Sequence, residues 1–271
     1  MVFWIIGIIL VAALLPLWII APRAGAKRAD SWRGTAFAHR GLHSETVSEN
    51  TLHAFEQACQ AGVGIELDVQ LTKDGRLVVF HDADLERLMG DKRLVAELDF
   101  AELRALSLPD GSRVPTFAEV LELVNGRVPL LVELKNGKRL GELCRKTYEH
   151  LRGYRGGFIV ESFQPLILLW FRVHAGHVIR GQLVAAWEEY IEDYGEFLAT
   201  LLTNLVCNVL ARPDFVAYDL SGEARFGLRM QKKLFHTPLA VWTVSERTDF
   251  DAAIQRNEMP IFEGFLPGKR S

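Results

Sequence analysis

Past residue 34 the chain alternates between two rhythms. Runs of five to seven mostly β-branched or aromatic residues recur at 35–39, 64–69, 129–134, 158–163, 178–184, 215–220, 239–244 and 260–265. That is the form of strands buried on both faces. Between them, apolar residues repeat at three- and four-residue spacing over 51–61, 116–124, 140–151, 165–174, 187–211, 222–234 and 247–256, which predicts helices. Pro115 and Gly126 bracket the second of these, and Asn50 or Ser48 is the expected N-cap of the first. Eight strands with interleaved helices match the count and size of an α/β (β/α)₈ TIM barrel. An open doubly wound sheet would be favoured by a Gly-rich phosphate loop after an early strand, and the sequence has none. Residues 77–104 break the repeat and are expected to form a hairpin and small insertion after strand 2.

The front of the chain has a different pattern. Residues 2–20 are uncharged and almost wholly apolar, with Pro16 near the end and Trp4 and Trp18 at positions suited to interfacial aromatics. A helix of about 20 residues spans a bilayer core of roughly 30 Å. A secretory signal would carry a basic start, a shorter apolar run and a small-residue cleavage site. Here the basic residues Arg23, Lys27, Arg28 and Arg33 follow the run instead. The expected organisation is a single-pass transmembrane anchor over 1–21, a polar linker over 22–33 and a barrel over 34–271. The positive-inside rule places the barrel in the cytoplasm of a membrane-bound protein.

Composition narrows the function. With 24% charged residues and a net charge of -3, the chain lacks the basic field of a nucleic-acid binder. Cys59, Cys144 and Cys207 have no CxxC spacing and lie in apolar helical patterns, so three buried thiols in a reducing compartment are expected.

Polar residues gather where the predicted strands end: His39, Asp68, Glu133 with Lys135, Ser162, Asp219, Thr243 and Glu263. Barrel active sites form at that face. Glu66 and Asp68 are two apart on one strand and therefore point the same way. With Glu133 they form a repelling group that a cation would relieve. Three carboxylates without Cys or His ligands favour a hard divalent ion, Mg²⁺ or Ca²⁺, over Zn²⁺. His39 and His81 each end an apolar run beside a polar neighbour and suit an acid–base pair near neutral pH. Arg40 and Lys135 bring positive charge for a phosphate. Phe163 and Trp242 are candidate pocket walls. His43, His53, His174, His177 and His236 are read as surface or structural, and Glu263 as a pocket-rim or network group and not a metal ligand. The ensemble has the composition of a metal-assisted phosphoryl or acyl site.

The string HRG…ENTLHAF…IELDVQLTKDGRLVVFHDADLER, followed by VPTFAEVL, LLVELK, ESFQP, VWTV and IFEGF, resembles the signature of the glycerophosphodiester phosphodiesterases over about residues 35–267. The resemblance implies a TIM barrel with an insertion after its second strand. It also implies divalent-metal-dependent hydrolysis of glycerophosphodiesters to sn-glycerol 3-phosphate and an alcohol. On the same ground, Glu66, Asp68 and Glu133 look like metal ligands, His39 and His81 like the acid–base pair, and Arg40 and Lys135 like phosphate contacts. Two departures stand out: Ser48 replaces the usual Pro, and Phe262-Glu263 replaces the usual Thr-Asp. An anchor holding the barrel mouth near the bilayer would also admit lysophospholipids, making the enzyme a lysophospholipase D. A phosphoinositide-cleaving phospholipase would want a more basic mouth. A silent, membrane-tethered binding protein would be expected to have lost one of these site residues. The apolar stretch within 187–211 is expected to be a core helix or a membrane-facing patch, too short to span.

Overall fold

The computed structural model describes residues 2–24, 26–222 and 225–268. Gly25 in the predicted linker, residues 223 and 224 in the predicted helix 222–234, and residues 269–271 at the predicted barrel end lie outside the described residues. In chain order the elements are helix α1 (Val2–Ile20), strand β1 (Phe37–Ala38), α2 (Leu52–Ala61), β2 (Gly64–Leu71) and β3 (Leu77–Val79). An excursion follows, made of β4 (Asp84–Leu85), α3 (Glu86–Met89), β5 (Asp91–Leu94) and α4 (Phe100–Ala105). Then come α5 (Phe117–Val124), β6 (Leu130–Leu134), α6 (Leu140–Leu151), β7 (Phe158–Ser162), α7 (Pro165–His174) and β8 (Arg180–Val184). The chain ends with α8 (Trp187–Thr203), α9 (Asn208–Ala211), β9 (Phe215–Asp219), α10 (Phe226–Met230), β10 (Leu239–Val244), α11 (Arg247–Gln255) and β11 (Met259–Phe262).

Parallel pairing runs β1–β2–β6–β7–β8–β9–β10–β11, and β1 pairs with β11 to close the eight-stranded barrel. β3 lies outside the ring, antiparallel to the last residues of β2. The strict alternation of side chains explains why the strands read as continuous apolar runs. On β2, Ile65, Leu67 and Val69 face the helices. Facing inward at the lower end, Phe37, Leu131, Ile159, Leu183, Phe215, Ala217, Ala240, Met259 and Ile261 fill the barrel with side chains. The excursion has its own small core of Val78, Phe80, Leu85, Val95, Leu98, Leu103, Leu108 and Val114.

Gly181 shows how tight this interior is. A Cβ there would lie 2.2 Å from the Phe215 ring. Gly181→Ala is therefore expected to cost about 1–3 kcal/mol by overpacking. The check is a lower urea midpoint with an unchanged slope.

The structure departs from the sequence expectations at several places. The N-cap of α2 is Thr51, whose Oγ1 accepts from Ala54 N at 3.2 Å. Asn50 instead takes a left-handed backbone (φ 54°), which frees its amide for Asp68. The stretch 187–211 is not one helix. Gly195 sits at φ 74°, ψ 165° inside α8, and Leu205 at φ 63° separates α8 from α9. Nor is it a plain core helix. Tyr190, Ala199 and Thr203 are buried, whereas Phe197 is 75% exposed and Tyr194, Leu198 and Leu210 are about half exposed. Of the thiols, Cys144 is buried, Cys59 and Cys207 are part-buried, and all three are free.

Helix α1 is long and apolar enough to cross a membrane over Phe3–Ile20, a property it shares with signal sequences. Its last turn docks on the N-terminal end of the barrel, opposite the strand ends that carry the polar residues. Ile20 O accepts from Asn208 Nδ2 at 2.9 Å and Gln231 Nε2 at 2.7 Å. Arg212 Nη1 donates to Trp18 O at 2.7 Å and Ala21 O at 2.9 Å. The polar linker folds as a 3₁₀ turn (Ala26–Trp32) against the barrel floor. There Ala29 is fully buried, and Trp32 stacks on Phe37 at 6.2 Å. Burying such aromatic surface is worth about 1.5–3 kcal/mol per side chain, so this end is sealed by the chain itself.

Candidate active site

The strand period puts the acids together. On β2, Glu66 and Asp68 alternate with outward Ile65, Leu67 and Val69, so both carboxylates enter the barrel. Register then sets Asp68 beside Glu133 on β6, and Glu133 beside Glu161 on β7. All four are buried. One carboxylate oxygen each from Glu66, Asp68 and Glu133 lies within 4.8 Å of the others. Glu161 was not singled out from the sequence. Its signal was the same two-residue alternation, Ile159 and Glu161, in the run FIVES.

Around the acids the polar network is dense but incomplete. Arg40 N donates to Glu66 Oε2 at 2.8 Å, and Asn50 Nδ2 donates to Asp68 Oδ2 at 2.8 Å. Lys135 Nζ lies 2.7 Å from Glu133 Oε1 and 3.3 Å from Asp68 Oδ1. Asp68 Oδ1 and Glu161 Oε2 are buried without a hydrogen-bond partner. Burial, reinforced by the neighbouring carboxylates Asp68, Glu133 and Glu161, pushes Glu66 well above the usual carboxylate range. Burial likewise raises Glu133 to about 7 against the pull of Lys135, and raises Glu161 strongly. Asp68 goes the other way: burial opposes its charge, but Lys135, His81 and Arg40 together hold it well below its ordinary value. Four buried acids face two permanent cations; Glu161 Oε2 has no hydrogen-bond partner, and Asp68 Oδ1 has the Lys135 ammonium nearby but no hydrogen bond. This donor set fits a hard divalent cation held by Glu66, Asp68 and Glu133.

Both imidazoles reach the same mouth. His39 follows β1, and its Nδ1 lies 2.7 Å from Glu263 Oε2. The other ring nitrogen is left toward the cavity that His39 lines, and Glu263 is a network group behind His39, the second of the two readings its sequence allowed. His43, read as a surface or structural group, has its Nε2 3.7 Å from the same carboxylate oxygen. The hydrogen bond from His39, with His43 close by, holds Glu263 far below the usual carboxylate range. His81 arrives by the β2–β3 hairpin, where Phe80 N donates to Asp68 O at 3.0 Å. Its Nδ1 lies 2.7 Å from Asp82 Oδ1, and Asp82 is gripped in turn by Arg87 Nε at 2.7 Å. Burial lowers the His81 pKa below the ordinary imidazole value, despite Asp68. Arg87 also forks onto Glu49, which anchors Arg40 Nη1 at 2.8 Å.

A cavity of about 80 Å³ joins these groups, lined by His39, Arg40, Glu66, His81, Glu133 and Glu161. Phe163 and Trp242 form its wall, edge to face at 5.6 Å. Two strand-end polar residues serve structure instead. Ser162 Oγ donates to Leu134 O at 2.7 Å, and Asp219 Oδ1 accepts from Ser221 N at 2.9 Å.

Comparison with known proteins agrees with this arrangement. The model of the glycerophosphoryl diester phosphodiesterase family matches residues 39–257. A glycerophosphodiester phosphodiesterase from Bacillus altitudinis is 45% identical over 159 residues, covering 52% of this chain and 63% of that protein. One from Caldanaerobacter subterraneus is 42% identical over 109 residues, covering 37% of this chain and 44% of that protein. The matches thus span about half the length of these relatives. In fold, the chain is similar to an Oleispira antarctica phosphodiesterase solved with the product sn-glycerol-3-phosphate. The TM-score is 0.70 at 22% identity, covering 87% of this chain and 94% of that one.

Proposed function

This chain belongs to the glycerophosphoryl diester phosphodiesterase family, and from that premise we propose that it hydrolyses glycerophosphodiesters to sn-glycerol 3-phosphate and an alcohol. The observation that carries the reading is the ring of buried acids flanked by two imidazoles, each with a carboxylate behind its Nδ1. A divalent cation, Mg²⁺ or Ca²⁺, held by Glu66, Asp68 and Glu133 supplies charge neutralisation at the phosphoryl oxygens when bound.

Arg40, fixed by Glu49, grips the phosphate, while Lys135 chiefly balances Asp68 and Glu133. His81 is neutral at pH 7 because burial disfavours its charged form, which suits it to take the proton of the attacking hydroxyl. That hydroxyl is either water, giving glycerol 3-phosphate directly, or the neighbouring glycerol hydroxyl, giving a cyclic phosphate that water then opens to glycerol 3-phosphate. His39 gives its proton to the leaving alcohol, and the ionised Glu263 stabilises the imidazolium that does so. Phe163 and Trp242 exclude water from one side of the cavity. Helix α1 serves as a single-pass anchor, with the barrel in the cytoplasm.

The deciding experiment incubates the purified chain with glycerophosphocholine and with lysophosphatidylcholine, in Mg²⁺ or Ca²⁺, and identifies products. Release of glycerol 3-phosphate from the soluble diester is expected; no release from either substrate overturns the reading. Lysophospholipase D activity is a second reading favoured by one feature. A groove of about 470 Å³, lined by Phe163, Pro165, Tyr194, Leu198, Leu202 and Leu210 among others, shares the Phe163 side of the catalytic cavity. It is suited to an acyl chain, and choline release from lysophosphatidylcholine is its test.

Glu263→Gln is expected to lower kcat by about tenfold or more with little change in KM, because the amide stabilises an imidazolium poorly. Steady-state kinetics on glycerophosphocholine check it. An equal rise in KM would mean that Glu263 holds substrate instead.

A further inference from the structure

Opposite the catalytic mouth, where α1 meets the barrel floor, lies a second cavity of about 600 Å³. Its wall includes Trp18, Arg23, Arg172, Arg180 and Arg212. We propose that this cleft binds the phosphate headgroup of an anionic membrane lipid.

Charge makes the first argument. Arg172 and Arg212 donate only to backbone carbonyls and form no ion pair among the described residues. Arg28, just outside, donates to Gly176 O and His177 O. The acid that faces this group is Asp214, fully buried, 3.7 Å from Arg23 Nη1 and 3.7 Å from Arg180 Nη1. Several guanidinium groups thus face one carboxylate, the reverse of the acid excess at the catalytic mouth.

The second argument is an unsatisfied donor. Arg180 is 2% exposed; its Nε and Nη2 donate to Ala211 O at 3.0 Å and Arg212 O at 2.8 Å. Its Nη1 is buried with no hydrogen-bond partner. A buried guanidinium N–H left unmade is costly, and an oxyanion in the cleft would satisfy it. Burial, outweighing Asp214 and reinforced by Arg23, Arg172 and Arg28, lowers the Arg180 pKa to about 10.

The third argument is position. The Arg212 guanidinium lies 4.5 Å over the Trp18 ring, in the final turns of the apolar helix. If α1 enters a bilayer, Trp18 sits at headgroup depth and the arginines face the anionic leaflet. The proposal rests on that anchor reading and not on the hydrolytic one.

The test uses the full chain in dodecyl maltoside micelles with EDTA present, so that binding is read without turnover. Native mass spectrometry counts retained dioleoyl phosphatidic acid against dioleoyl phosphatidylcholine at equal mole fraction. The expected result is one retained phosphatidic acid with about tenfold preference, falling to parity in Arg23→Gln/Arg172→Gln. Arg172→Lys, which keeps the charge on an exposed position, is expected to retain most of the preference, so loss by misfolding is separable. Equal retention of the two lipids in the parent overturns the site. Equal binding of inorganic phosphate in lipid-free micelles, with displacement of the lipid, overturns the lipid as its occupant. Release of the chain from membranes by alkaline carbonate removes the anchor and overturns the assignment, leaving hydrolysis to be judged on its own assay.

Discussion

Alanine at His39 or at His81 is expected to lower kcat on glycerophosphocholine by about 10²–10⁴-fold, the usual contribution of a positioned acid or base. KM should change little, since neither ring is the main phosphate contact in the proposed scheme. The double variant should lose little more than the worse single, because acid and base act as a unit. The pH profile separates them. His81 works unprotonated, and burial lowers its pKa. Activity should therefore rise with pH along an acid limb whose midpoint lies below about 6.5, the ordinary imidazole value. A bound cation near His81 pushes that midpoint lower still, since it further disfavours the imidazolium. In His81→Ala the limb should disappear. In Glu263→Gln it should persist, because that carboxylate touches His39 and not His81. Near-parental turnover in both alanine variants would remove the acid–base assignment.

Chelation has the other large expected effect. Dialysis against EDTA should abolish turnover, and Mg²⁺ or Ca²⁺ should restore it. Charge neutralisation worth several kcal/mol corresponds to a loss of about 10³-fold or more. Binding can be read without activity: the parent should retain about one divalent ion per chain by elemental analysis, and Asp68→Asn should retain far less. Asp68 is the sensitive position because it is the carboxylate whose charge its neighbours favour in the folded chain. Full activity in EDTA would remove the cation from the scheme and leave the phosphate's charge to be answered by side chains such as Arg40 and Lys135. Stripping the ion should not unfold the barrel, since Lys135 already bridges Glu133 and Asp68.

Much of this was legible in the sequence, and the reason is physical. Strands buried on both faces produce apolar runs that few other structures imitate, so all eight could be read, although β1 shrinks to Phe37–Ala38. The same alternation placed Glu66 and Asp68 on one face before any coordinates. Glu161 obeyed the identical rule, yet it lacked a second acid or a lysine nearby to draw the eye. Glu263 was harder, because its value comes from closure of the ring, which brings β11 beside β1 and Glu263 to His39 across 224 residues. No local pattern carries such a contact. The break at Gly195 was hidden because apolar spacing continues on both sides of it. The arginines beside α1 were visible only in part: Arg23 and Arg28 follow the apolar run, whereas Arg172 on α7, Arg180 on β8 and Arg212 capping α9 come from far along the chain.

The joint between α1 and the barrel has a mechanical consequence. Asn208 and Arg212, at the two ends of α9, and Gln231, after α10, clasp the carbonyls of Trp18, Ile20 and Ala21 from two separate segments, so the junction resists hinging. A barrel mounted this way can spin about its stalk but cannot bow. If α1 spans a bilayer, the open end looks into the aqueous phase while the floor rests on the headgroups. In that setting water-borne diesters would meet no obstacle, whereas a bilayer-resident molecule would have to climb the flank between α7 and α8 to reach the proposed site.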